Sequence, residues 1–198
     1  GDGDDILYGG DGIDRILGGE GKDTIFGGIG DDNIDAHSST YDWYNQYPLG
    51  LVTDWSNVSY QDIIYGGEGN DNLRGFAASI MYGEEGDDYI SSENMVEGAT
   101  AYGGIGDDDI NLTAPDIVDG GDGDDTINIG GSGQNIHRPT TIKGGTGYDK
   151  LTISNWYPHW DRISNDFEEI IIDGGTRVFS DDRTQSGKTL KISTANLN

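Results

Sequence analysis

Residues 1–36 read GDGDDILYG GDGIDRILG GEGKDTIFG GIGDDNIDA, four nine-residue blocks in one register. Glycine pairs begin at Gly9, Gly18 and Gly27. Five residues after the start of each pair comes an aspartate, at Asp14, Asp23 and Asp32, and Asp5 holds the same place in the first block. Two residues beyond each aspartate stands an aliphatic side chain: Leu7, Ile16, Ile25 and Ile34. The repeat is GGxGxDxUx, where U is large and apolar. A fixed short period of this kind marks a stacked repeat architecture.

After Asp35 the regular run stops, then resumes at wider spacing. The strong copies are GGEGNDNLR from Gly66, GEEGDDYIS from Gly83, GGIGDDDIN from Gly103, GGDGDDTIN from Gly120 and GGTGYDKLT from Gly144. Their intervals of 17, 20, 17 and 24 residues are roughly two repeats each, so each gap holds one degenerate copy. Two places before each glycine sits an apolar or small residue: Ile64, Met81, Ala101, Val118 and Ile142. The pattern predicts an all-β fold, a right-handed parallel β-roll in which two repeats make one coil. Each repeat is a glycine turn followed by a short strand. The U side chains of both strands point inward and stack along the axis. No single repeat can bury that thin core, so stability comes from stacking. A helix is excluded, because glycine costs about 1 kcal/mol against alanine in a helix interior.

Composition sets the chemistry. The 198 residues include 11 basic and 37 acidic ones, a formal charge of −26, and 34 glycines. A compact body with that charge repels itself unless cations neutralise it. Nucleic acid and anionic membrane surfaces are therefore poor partners, and multivalent cations are good ones. With 33% apolar residues the chain is expected to be disordered without a ligand. There is no cysteine, so any stapling comes from metal or packing. No stretch approaches the roughly 20 apolar residues of a membrane helix. The chain starts at Gly1 in mid-motif with no visible signal peptide, and reads as a piece of a longer protein.

The turns suit calcium. Calcium is a hard cation that takes about 6–8 oxygens, carbonyls included. Glycine reaches positive φ without steric cost, so a glycine turn can aim its carbonyls at an ion. The aspartate adds a charged oxygen at a fixed offset. Turns on one edge stack about one inter-strand spacing apart, ~4.8 Å, so ligands come from repeats i and i+2. Two ladders follow. The first holds Asp14, Asp32, Asp71, Asp88, Asp108, Asp125 and Asp149, with Gly10, Gly12, Gly28, Gly30, Gly67, Gly69, Gly86, Gly104, Gly106, Gly121, Gly123, Gly145 and Gly147. The second begins with Asp5 and Asp23 beside Gly19 and Gly21. Its later turns lose their glycines, although Asp62 and Asp116 keep the aspartate place. One near-complete ladder is expected, and one that fades.

These motifs resemble the repeats-in-toxin (RTX) family, over residues 1–152. The resemblance implies a secreted bacterial protein, extracellular or at the cell surface, exported by a type I system and folding outside the cell on several calcium ions. Interrupting the repeats is an insertion of about 36–56 with Tyr41, Trp43, Tyr44, Tyr47 and Trp55, candidates for packing on the roll or for contact with protein or glycan. The tail, 153–198, reads as a capping region with a few strands. Its segment NDFEEIIID (165–173) is similar to segments that follow the final repeats in RTX surface-layer and adhesin-like proteins.

Catalysis finds no support: His37, His137 and His159 sit in no HExxH motif, and calcium ligation explains the paired carboxylates. The expected function is a non-enzymatic, calcium-folded structural module of a large exported bacterial surface protein. The alternative is the folding and secretion module of an RTX exoenzyme or toxin. Register also places Tyr8, Phe26, Tyr65, Tyr82 and Tyr102 in one outward column, a further candidate for partner contact.

Overall fold

The computed structural model describes residues 3–19, 21–36, 61–76, 78–92, 98–113, 117–130, 141–154, 163–173 and 189–192. The insertion aromatics, Asp116, the three histidines and the tail tryptophans lie outside them. Among the described residues there is no helix. The strands form two all-parallel sheets. The first contains β1 (Ile6–Asp11), β3 (Thr24–Ile29), β5 (Ile63–Glu68), β7 (Ile80–Glu85), β9 (Thr100–Ile105), β11 (Ile117–Asp122) and β13 (Thr141–Thr146), in that order. The second runs from β2 (Arg15–Leu17) through β4 (Asn33–Asp35), β6 (Asn72–Gly75), β8 (Tyr89–Ser92), β10 (Asp109–Thr113), β12 (Thr126–Gly130), β14 (Lys150–Ser154) and β15 (Glu169–Asp173) to β16 (Thr189–Ile192). Odd strands pair only with odd and even with even. This is the parallel β-roll.

Register follows the U positions. Leu7, Ile25, Ile64, Met81, Ala101, Val118 and Ile142 oppose one another along the first sheet. Along the second run Ile16, Ile34, Leu73, Ile90, Ile110, Ile127, Leu151 and Ile170. All but Leu7, on the end strand β1, are buried. Two residues past U on the second sheet comes another inward place. It holds Gly75, Ser92, Leu112, Ile129 and Ile153 in successive coils, so the core thickens toward the C-terminal end.

On the outer face of the first sheet, Tyr8, Phe26, Tyr65, Tyr82 and Tyr102 stack ring on ring. Centroids are 4.9–5.0 Å apart and planes lie within 3–7° of parallel. The rings thus satisfy one another, as cross-strand neighbours at this spacing do. Beyond Tyr102 the same column continues as Asp119 and Lys143, which form a 2.8 Å ion pair.

Strand β14 leads into the tail. Ile163 bridges to Ile142 on the first sheet, and β15 pairs with β14 on the second. The turn between them is shorter than the glycine turns: seven residues separate Ile163 from Ile170, against nine from Ile142 to Leu151. It buries Phe167 completely.

Candidate metal centre

Each strand of the first sheet ends in a GGxGxD turn that leads to the second, with GEEGDD as the variant after β7. The glycines at the second and fourth places of these turns have φ between 110° and 146°, a region only glycine enters freely. Beyond the first coil a Cβ would not fit there: at Gly121 it would run into the Gly104 carbonyl of the preceding coil. Glycine is thus required for coil stacking as well as for turn shape.

The turn aspartates are buried in columns, Asp32, Asp71, Asp88 and Asp108 being each 2% exposed. One oxygen of each stitches coil to coil. Asp14 N–H donates to Asp32 Oδ1, Asp32 to Asp71, Asp71 to Asp88, Asp88 to Asp108, Asp108 to Asp125 and Asp125 to Asp149, all at 2.7–3.1 Å. The partners are always one coil apart, as repeats i and i+2 require. On the opposite edge Asp5 N–H donates to Asp23 and Asp23 N–H to Asp62, both at 2.9 Å. That ladder then gives way to Ser79 and Ala99, whose neighbours keep the backbone register. Ser79 stands beside Asp62, its hydroxyl donating to the Phe76 carbonyl.

The other oxygen has no partner. Oδ2 of Asp14, Asp23, Asp32, Asp71, Asp88, Asp108, Asp125 and Asp149 is buried and accepts no hydrogen bond. An unpaired buried carboxylate oxygen is costly. The cost shows in acidity: burial pushes Asp88, Asp108 and Asp125 up to about 7 and Asp62 and Asp71 up to about 6, with neighbouring carboxylates adding to the rise and backbone N–H donors opposing it. Burial raises Asp149 too.

These oxygens share a recurring cradle. The space a side chain at Gly66 would take is bordered by Asp71 Oδ2 of the same turn and by the Gly83 carbonyl of the next coil. The pair repeats at Gly9 (Asp14, Gly27), Gly27 (Asp32, Gly66), Gly83 (Asp88, Gly103), Gly103 (Asp108, Gly120) and Gly120 (Asp125, Gly144). On the other edge it occurs at Gly18, between Asp23 and the Ala36 carbonyl. Among the described residues no three acidic or histidine side chains converge on one point. Each cradle offers a carboxylate, and further oxygens must come from carbonyls. An all-oxygen, carbonyl-rich donor set with one charged oxygen per turn fits calcium and not a softer metal.

Residues 1–34 and 59–76 match the family model described as RTX calcium-binding nonapeptide repeat, in 4 copies. These are RTX calcium-binding nonapeptide repeats. No curated protein and no solved structure matches the chain. The matched family is a calcium-binding one, which marks the roll that carries these repeats as a calcium-binding module. Calcium, when bound, supplies the positive charge that the carboxylate columns lack.

Three sets of functional residues escape the aspartate rule. In the fifth place of the turns Asp31, Asn70, Asp87, Asp107 and Asp124 each accept an amide from an adjacent coil, forming a second, exposed column of stitches. Ser79 extends the fading ladder. In the tail, Glu168 Oε2 accepts the Asp149 amide at 2.8 Å, and Asp166 Oδ1 accepts the Gly144 amide at 3.1 Å. Glu168 stands two residues before Ile170, the spacing of aspartate to U, so the signal was present with glutamate in place of aspartate.

Proposed function

We propose that this chain is a non-enzymatic, calcium-folded structural module of an exported bacterial surface protein, with calcium held in the inter-turn cradles by Asp14, Asp32, Asp71, Asp88, Asp108 and Asp125 and the facing carbonyls. Asp23 holds a further ion on the opposite edge, and Asp149 the end of the main ladder. The observation that carries this reading is the column of buried Oδ2 atoms without a protein partner. A fold that leaves so many charged oxygens unpaired is completed by cations. The surface type rests on the similarity of the NDFEEIIID segment to segments that follow the final repeats in RTX surface-layer and adhesin-like proteins; here that segment pairs with the second sheet. In this reading residues 153–198 cap the open end of the roll.

Bound calcium, counted after equilibrium dialysis of the intact chain, tests the proposal. Several ions per chain, taken up cooperatively with a midpoint of about 10⁻⁴–10⁻³ M and not replaced by magnesium, are expected. One ion or none, or equal uptake of magnesium, contradicts it.

A further inference from the structure

Three tyrosines of the outer column stand in unbroken succession. Tyr65, Tyr82 and Tyr102 hold the same register place on β5, β7 and β9. Their rings stack with centroids 5.0 Å apart and planes 6° from parallel. All three are partly exposed. Burial raises the pKa of the Tyr82 phenol, and the phenols of Tyr102 and Tyr65 add to the rise, so the hydroxyl ends lie side by side as the rings do. Tyr8 belongs to the same column but is cut off by Phe26, which carries no phenol. The other described tyrosines stand apart: Tyr89 faces Asn72 and Asp109 across its own sheet, and Tyr148 is 56% exposed in the turn after β13.

Phenols held in this way are matched for one reaction. Loss of one electron and one proton turns a phenol into a phenoxyl radical, with spin density on the ring carbons ortho to oxygen. Two such radicals join through those carbons, and the hydrogens there move to the oxygens, restoring both phenols. Two electrons and two protons leave in all. One hydrogen peroxide, acting through a haem peroxidase, accepts them and becomes two waters. Rings held side by side meet as an effectively unimolecular pair, whereas isolated phenols must collide by diffusion.

We propose that Tyr65, Tyr82 and Tyr102 form an oxidative cross-linking site, in which peroxide and a peroxidase join Tyr82 to Tyr65 or to Tyr102 by a carbon–carbon bond. Tyr82 is the shared partner. Either bond staples two successive coils, across 17 or 20 residues of chain. The chain has no cysteine, so the column supplies a covalent link that no disulfide can. The three residues meet through strand pairing and not through nearness in sequence, so the site exists only in the stacked roll. It depends on the roll and not on which ion fills the turns.

Oxidation of the full chain, folded in calcium, by hydrogen peroxide and a haem peroxidase tests it. Dityrosine fluorescence is read in the monomer fraction, and the links are mapped by mass spectrometry of proteolytic peptides. The links should map to the Tyr65–Tyr82 and Tyr82–Tyr102 pairs. Tyr82→Phe keeps a ring in the stack but removes the shared phenol, leaving Tyr65 and Tyr102 two coils apart, and should abolish the monomer signal. Tyr148→Phe and Tyr89→Phe should leave it unchanged. Phe26→Tyr should raise it, by new links from position 26 to Tyr8 and to Tyr65, and it tests the column by a gain that no folding defect can mimic. Absence of dityrosine in the wild-type monomer, links that map elsewhere in the chain, an undiminished signal in Tyr82→Phe, or no gain in Phe26→Tyr overturns the proposal.

Discussion

Asp108 shows how one carboxylate performs two duties. Its Oδ1 accepts the Asp88 amide at 2.8 Å, while its Oδ2 faces the cradle beside Gly103. Asparagine keeps an oxygen for the amide but loses the charge. Asp108→Asn should therefore raise the calcium midpoint of folding, and Asp108→Ala should raise it further, because it also orphans a buried amide at a cost of ~1–3 kcal/mol. An unchanged midpoint in the asparagine variant would show that the charge is not used for calcium. The glycines divide in the same way. At Gly121, with φ 119° and the Gly104 carbonyl in the way, alanine should cost well over ~1 kcal/mol in denaturant titrations at saturating calcium. At Gly130, where a Cβ meets nothing within 4 Å, it should stay within about 0.5 kcal/mol. Equal costs would mean that the turn conformation is not what selects glycine. Protonation gives a third test. Without metal, burial raises Asp88, Asp108 and Asp125 to about 7, whereas an unfolded chain titrates near its ordinary value of about 4. The folded state thus binds more protons. This contribution to stability is complete below about pH 4 and is lost as pH rises through about 7. The chelated chain should gain sheet signal as it is acidified from pH 8 to 5, and the calcium midpoint should rise over the same range, because protons and calcium compete for the same oxygens. A sheet signal that falls on acidification in chelator would contradict this.

At the scale of strands and columns, the periodicity carried most of the information. A period of nine with aspartate two residues before U set the strand positions, the inward residues and the i to i+2 pairing of turns. Register alone also placed the five aromatics in one column. What it could not give was their geometry: rings 4.9–5.0 Å apart and nearly parallel turn their faces to each other and only their edges outward. The column therefore stabilises the sheet from outside. Tyr82→Ala breaks two stacking contacts and should cost ~1–3 kcal/mol, whereas Tyr8→Ala breaks one and should cost about half as much in urea at saturating calcium. Equal losses at the two sites would mean that stacking is not what the rings contribute. The fading of the second edge was also legible, since its later turns lose their glycines. Its detail was not: Asp62 keeps its place, but Ser79 and Ala99 succeed it, and neither residue type signals a ladder. The same holds for Gly75, Ser92, Leu112, Ile129 and Ile153, whose inward place lies outside the nonapeptide rule. Glu168 was hidden by a shortened turn without glycine, although its spacing to Ile170 repeats that of the aspartates.

For the whole molecule, the deciding quantities are the −26 formal charge and, among the described residues, the eight buried carboxylate oxygens without a partner. Both oppose folding in the absence of cations, and both are relieved by the same ions, so binding free energy and folding free energy are one quantity here. Stacking spreads that coupling along the axis, because each coil contributes a carboxylate to its own cradle and a carbonyl to the preceding one. The core alone is a thin double file of U side chains that cannot carry an uncompensated charge of this size. Far-ultraviolet circular dichroism of the intact chain at neutral pH, first in excess chelator and then on titration with calcium to millimolar levels, measures this directly. The account predicts a largely unfolded spectrum in chelator and a cooperative rise of β signal with calcium, whereas a full β spectrum in chelator, unchanged by calcium, would contradict it.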